Sequence, residues 1–303
     1  MRLSGTLLRC TRWSAVPALF LIGSGGLNGQ SSREDSGFYL YERVDATSNQ
    51  VGFVTRLDSS IGYKLNRYFA VDAGLPVYAV RPSESALSTS SVARVNGIGN
   101  ARIAGHFLVM NPAVDYLSSL TVTAPTGDKD KGLSTGHVTY DWNNHLDRSF
   151  GRLTPFGDVG IANTVSDTPF FIRPFTSTGF VAHLTGGVQC RLLKAVGVGA
   201  LAYTIRPSGE QTVVSRVRPK DTVSPPGQSA GHGRGRGVFE SAAATVGPAE
   251  IARDRGGSTW LSITPSRLLE FQLGYTRSTT YSLNTVYFGA GINLGSLIRK
   301  GGW

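Results

Sequence analysis

Charge is scarce in this chain. Asp, Glu, Lys and Arg make up 17% of its 303 residues, where about a quarter is usual for a soluble domain. The hydrophobic share is modest too, at 40%, so a larger apolar core has not replaced the missing charge. Glycine fills part of the gap, with 38 residues. That balance suits a protein whose apolar residues alternate with Gly, Ser and Thr rather than gather in blocks. Cysteine is nearly absent: Cys10 and Cys190 are the only two, which excludes a disulfide scaffold. Long apolar runs are also missing. The stretch SAVPALFLIGSGGL falls well short of the ~20 residues a spanning helix needs, and Pro17 interrupts it.

That short run has a context of its own. MRLSGTLLRCTRW precedes it, small and polar residues follow, and no acid occurs before Glu34. A basic start, a brief apolar stretch and small residues afterwards form a secretory signal. The reading assigns residues 1–29 to a cleaved signal peptide and 30–36 to a short N-terminal segment. Cleavage is expected after Leu27-Asn28-Gly29, with Ser24-Gly25-Gly26 as the alternative. Loss of Arg2, Arg9 and Arg12 lowers the formal charge by three, from +10 to +7, and leaves Cys190 as the one thiol. A lipoprotein would need small residues before its cysteine, and Arg9 stands there instead.

What the rest of the chain has is alternation with period two, the mark of strands with one apolar face. In 178–192, Phe180, Ala182, Leu184, Val188, Cys190 and Leu192 oppose His183, Thr185, Gln189 and Arg191. In 285–294, Val286, Phe288, Ala290, Ile292 and Leu294 oppose Thr285, Tyr287, Gly289 and Asn293. Such runs predict twelve strands: 37–47, 51–64, 68–80, 98–110, 115–125, 137–147, 152–164, 178–192, 195–206, 257–264, 268–277 and 280–295. The connections alternate between tight turns (65–67, 111–114, 148–151, 193–194, 265–267) and mostly longer polar loops (81–97, 126–136, 165–177, 207–256). All tight turns therefore lie at one end. Greek-key sandwiches do not sort their loops this way, whereas up-and-down barrels do. The expected fold is an all-β transmembrane up-and-down antiparallel barrel over 37–295, with 207–256 a flexible outer loop and 296–303 a C-terminal tail. An even strand count, strands of about ten residues, and turns short on one side and long on the other match outer-membrane barrels. The competing fold is a soluble exported barrel of lipocalin type. Against it stand polar faces rich in Gly, Ser, Thr and Asn with few lysines. A ring of twelve strands is also too wide for side chains alone to fill with an apolar core.

Residues 121–136, TVTAPTGDKDKGLSTG, place glycines at 127 and 132 like a phosphate-cradling loop. That motif needs Lys-Ser or Lys-Thr directly after its second glycine, and Leu133-Ser134 stands there. A calcium loop would need further ligands and a closing Glu beyond Asp128 and Asp130. The stretch resembles instead a family of bacterial outer-membrane barrels, labelled as transporters or as a phenol meta-pathway degradation family. Gly97-Ile98-Gly99-Asn100 and Tyr63-Lys64-Leu65-Asn66-Arg67, followed by Gly74-Leu75-Pro76-Val77, are similar to further segments of that family. The resemblance implies uptake of hydrophobic or aromatic compounds and lends no catalytic residues. Tyr287-x-Gly289-x-x-Ile292-x-Leu294 is similar to the C-terminal signal by which barrel assembly machinery recognises its clients, although Ser296–Trp303 follow it.

If apolar faces meet lipid, the opposite faces line a lumen. The inward set is then Arg56, Asp58, Asp72, Arg102, His106, Asp141, His145, Asp158, His183, Arg191 and Glu270. A water-filled interior tolerates these charges and a lipid face does not. The expected function is passive passage of small solutes through a monomeric or trimeric barrel in the bacterial outer membrane. Its partners are then outer-membrane lipid, the assembly machinery and the solute. A non-conducting structural barrel is the first alternative. A lipid hydrolase is the second: Ser134, His137 and His145 share a region, yet the alternation turns both histidines inward and no nucleophile motif surrounds the serine. The five histidines have no metal-ligand spacing, and neither a cofactor nor a metal is expected. Arg234 and Arg236 stand between glycines in SPPGQSAGHGRGRG, but export removes nucleic acid as a partner. Tyr63, Phe69, Tyr116, Phe150, Trp260 and Phe271 near strand ends are expected to form an interfacial girdle.

Overall fold

The computed structural model describes residues 36–49, 52–82, 95–129, 131, 133–165, 177–213, 245–247, 252–266 and 268–294. The expected signal peptide, Val51, the tail 296–303 and most of loop 207–256 lie outside the described residues. The strands are β1 (Gly37–Asn49), β2 (Gly52–Lys64), β3 (Phe69–Pro82), β4 (Val95–Ile98), β5 (Arg102–Val109), β6 (Asp115–Thr123), β7 (Thr139–Asp147) and β8 (Leu153–Thr164). They continue with β9 (Ser177–Arg191), β10 (Val196–Pro207), β11 (Gln211–Val213), β12 (Thr245–Gly247), β13 (Asp254–Ile263), β14 (Leu269–Ser278) and β15 (Leu283–Asn293). Each barrel strand pairs antiparallel with its sequence neighbours, and β1 closes the ring on β15 from Tyr39↔Asn293 to Ser48↔Asn284. The result is a closed twelve-stranded antiparallel barrel. β4 and β5 serve as one interrupted strand on β3, and β11 and β12 prolong the β10–β13 edge at the long-loop end.

Closure leaves no free edge, so every strand's backbone donors and acceptors find partners within the ring. It also turns period two into an inside and an outside. On β15, Val286 and Phe288 are 51% and 48% exposed while their neighbours Thr285 and Tyr287 are 2% and 1% exposed. The same reversal holds around the wall. Leu57, Ile61, Val71, Leu75, Ile103, Leu120, Val159, Leu184 and Leu273 are exposed, and Asp58, Asp72, Arg102, Ser119, Asp141, Asp158, His183 and Gln272 are buried. The polar set forms the interior and the apolar set the exterior, the inverse of a water-soluble barrel.

The tight turns follow from side chains that replace lost ladder bonds. Asn66 Oδ1 accepts from the N–H groups of Tyr68 and Phe69 at 2.8 and 3.0 Å. Asn111 Oδ1 accepts from Ala113 N–H at 2.6 Å, and Asp115 Oδ1 from Asn111 N–H at 3.0 Å. Between β7 and β8, Gly151 takes a φ of 65°, which a side chain would strain, and Phe150 bridges Leu153. Around these turns the outer surface is aromatic. Phe38 and Tyr63 meet edge-on at 4.8 Å, and Phe69 lies 5.2 Å from Phe107.

Three expectations are corrected. The predicted strand 98–110 is broken at 99–101. β7 begins at Thr139 rather than 137, so His137 is an exposed turn residue and does not point inward. Trp260 belongs to no girdle: it is 4% exposed and faces the interior. The alternation places it there with Ser258 and Ser262, a parity that outweighs its position near a strand end.

Candidate functional site

The interior wall has two characters. From β1 to β9 it is ionisable, and from β10 to β15 it is aromatic and polar but nearly free of cations. On the ionisable side a chain of guanidiniums and carboxylates crosses β1, β2 and β5. Arg43 Nε donates to Asp45 Oδ1 at 2.7 Å, and Asp45 Oδ2 lies 3.8 Å from Arg56 Nε. Arg56 Nη2 and Arg102 Nη1 each pair with a different oxygen of Asp58. Arg102 reaches Asp58 by lying flat across Gly74 of β3, where any side chain would collide with its guanidinium. Glycine at 74 therefore permits a contact between strands that are not neighbours.

Nearer the tight-turn end and along β7–β9, each buried histidine meets a carboxylate. His106 Nε2 is 2.5 Å from Asp72 Oδ2, His145 Nδ1 is 2.7 Å from Asp158 Oδ1, and His183 Nε2 is 2.9 Å from Asp141 Oδ1. His145 Nε2 also lies 3.4 Å from Asp147 Oδ1. Ser119 Oγ sits 2.9 Å from His106 Nδ1, so Ser119, His106 and Asp72 line up in the order of a nucleophile, base and orienting acid. Backbone N–H groups beside Ser119 belong to the β5–β6 and β6–β7 ladders. An oxyanion hole needs free donors, and these are engaged in the sheet. The other hydrolase candidates do not assemble either: Ser134 Oγ accepts from Gly136 N–H at 3.1 Å, His137 is exposed, and His145 is held by acids.

The opposite side is built from rings laid over glycines of adjacent strands. Trp260 of β13 covers Gly199 of β10, Tyr287 of β15 covers Gly274 of β14, and Tyr41 of β1 covers Gly289 of β15. Tyr203, Tyr281, Leu201, Ile205 and Leu283 join Trp260 and Tyr287 in one buried cluster, with Phe156 against it. The two sides meet where Arg43 stacks on the Tyr287 ring at 4.2 Å. Glu270 is buried on this side and forms no salt bridge among the described residues, while Arg191 is half-buried at the tight-turn rim. The inward side chains cover one another so well that few keep a tenth of their surface exposed.

At the long-loop end, two of the quoted segments meet. Thr126 Oγ1 donates to Gly99 O at 3.2 Å and accepts from Ala101 N–H at 2.8 Å, and Asn100 Oδ1 accepts from Gly127 N–H at 3.1 Å. The break in β4–β5 thus receives its lost partners from the loop after β6. Asp128 closes a turn by accepting from Lys131 N–H at 3.1 Å, which drives Leu133 into the interior. Leu133 is 1% exposed and packs on Val54, Tyr78 and Val80, with Val95 beside them. The segment that looks like a phosphate loop is held to the interior wall by Leu133.

Arg43, Asp45 and Asp147 were missing from the expected inward set, although YLYERVDATSN alternates and carried the signal for the first two. Glu42 was also passed over. It breaks that alternation, facing outward with Leu40 and Val44 and accepting from Ser59 Oγ at 2.6 Å. Leu133 had no periodic signal to reveal it.

No family model matches the sequence, and the search of curated proteins gives no match. Among solved structures, the chain is similar to the COG4313 outer membrane channel from Pseudomonas putida F1. The TM-score is 0.56 and the identity 9%, over 89% of this chain and 99% of that one. The KdgM porin and the NanC porin each align with TM-score 0.46 and 8% identity, over 84% of this chain and 98% of theirs. At such identities the likeness is one of fold: the chain has the closed twelve-stranded architecture of an outer-membrane barrel.

Proposed function

We propose that this chain is a channel of the bacterial outer membrane that passes small solutes without an energy source. One observation carries the reading: a closed ring of twelve strands presents an apolar band outward and ionisable or polar side chains inward. A bilayer requires the first, and the second gives the ring a polar axis that suits a small solute. The aromatic cluster of Tyr203, Trp260, Tyr281 and Tyr287 supports solutes with apolar rings, in line with the family resemblance. Reconstitution into planar bilayers tests the proposal. Discrete conductance steps are the expected result, with swelling of liposomes in small polar solutes that lipid alone excludes. Flat traces together with no swelling, in the wild type and in Leu133→Ser alike, overturn it.

A non-conducting barrel is the second reading, favoured by how completely the inward side chains cover one another. Removing the Leu133 anchor discriminates between the two. If Leu133→Ser converts flat traces into steps, the ring is a gated channel. If both proteins are silent, it is structural.

A further inference from the structure

We infer that the arginine chain of β1, β2 and β5 is a subsite for a carboxylate-bearing solute. The inference rests on the channel reading for access and names the charge of what enters. Three guanidiniums, of Arg43, Arg56 and Arg102, meet two carboxylates, of Asp45 and Asp58. Each guanidinium carries five N–H donors, whereas two carboxylates offer about eight acceptor sites against about fifteen donors. The surplus is visible in the geometry. Arg102 is more than nine-tenths buried, both oxygens of Asp58 already have partners, and Arg102 Nε has no hydrogen-bond partner. Arg56 Nε lacks one as well, its approach to Asp45 being 3.8 Å. Gly74 lets the Arg102 guanidinium lie against the wall, where any side chain would push it away.

The other acids of the interior do not supply the missing charge. Asp72 is held by His106, Asp141 by His183, and Asp158 and Asp147 by His145. Asp254 accepts from Tyr203 and Ser278 on the far side, and Glu270, also buried, forms no salt bridge with any of the three arginines. Buried donors without acceptors are costly, and a planar fork matches a carboxylate better than any neutral group. An incoming carboxylate would bring three anions against three cations. Tyr287, stacked on Arg43, places a ring at the edge of the cluster, so an aryl carboxylate satisfies both features at once.

Benzoate is the probe, with neutral benzamide as its isostere. Calorimetric titration of the folded barrel in detergent should show benzoate binding and benzamide not. Arg102→Gln should weaken benzoate at least tenfold, and Arg102→Lys should restore only part of it because one ammonium lacks the fork. Arg191→Gln, at the rim and outside the cluster, should leave binding unchanged. In planar bilayers benzoate should reduce the wild-type current and not that of Arg102→Gln. Open pores with no benzoate binding overturn the subsite and leave the channel standing. Binding that depends on Arg102 in a barrel that never conducts upholds the subsite and overturns the channel. Equal binding by wild type and Arg102→Gln, or by benzamide and benzoate, also overturns the subsite.

Discussion

Asp58 pairs with guanidiniums from two strands, so replacing it strands two buried cations rather than one. Breaking a buried pair by removing one partner costs about 3–5 kcal/mol, and Asp58→Asn is expected to fall in that range. Urea titration of the barrel in detergent micelles should show the midpoint fall with an unchanged slope. Recovery by the double variant that adds Arg102→Gln would mark the loss as charge left unpaired rather than as lost packing. Glu42 is expected to do the opposite. Its carboxylate sits on the outward face of β1 with Ser59 as its partner, where an apolar side chain would meet lipid without penalty. Glu42→Leu should raise stability by about 1 kcal/mol, read as a higher urea midpoint in lipid vesicles. At this scale period two showed which residues point inward, and Asp58, His183 and Glu270 were legible on that basis. It carried no information on partners. Arg102 reaches past β3 to Asp58 only because residue 74 is glycine, a fact of three strands at once. Trp260 lies near a strand end as girdle residues do, but its parity with Ser258 and Ser262 turns it inward.

Among the elements, the β6–β7 loop joins local turn chemistry to the interior. Its Asp128 turn is local, while Leu133 packs on residues of β2, β3 and β4 that are distant in sequence. Leu133→Ser removes the apolar anchor and should free the loop while the ring persists. Lys131 is exposed and Lys129 lies two residues before it. Trypsin added to vesicles or whole cells should therefore cut the variant after Lys129 or Lys131 at least several-fold faster than the wild type. Equal cleavage would mean that the turn and the Thr126–Gly99 bonds hold the loop without Leu133. Strand existence was readable here because each barrel strand carries its own alternation. The break at 99–101 was not, since Gly99-Asn100 within a run reads equally as a strand start or a bulge. Its backbone is satisfied by Thr126, a residue in the next loop. The β11–β12 extension was hidden for a related reason: three-residue strands inside a Gly- and Pro-rich loop are too short to show a period.

For the whole molecule, the decisive question is which medium each face meets, and two tryptophans sit on opposite sides of the answer. Trp142 lies on the exposed face of β7 with Leu146, 45% exposed, and its Nε1–H donates to Ser118 at 2.9 Å. Trp260 lies on the inner face of β13 over Gly199, 4% exposed. In a bilayer the first touches acyl chains and the second touches only protein. Brominated lipids quench indole fluorescence on contact, so variants retaining a single tryptophan separate the two. The barrel keeping only Trp142 should be quenched strongly when folded into brominated vesicles, and the barrel keeping only Trp260 should be nearly unaffected. A water-soluble barrel would leave both alike, because neither would meet lipid. Gly199→Val supplies the internal check. It forces the Trp260 ring off its seat at a cost of about 1–3 kcal/mol, and should alter Trp260 emission and lower the unfolding midpoint. Because the ring is turned inward, quenching by lipid should stay low even then. If the displaced indole became strongly quenched, β13 would have to present its other face to the bilayer, and the assignment of inside and outside around the ring would fall with it.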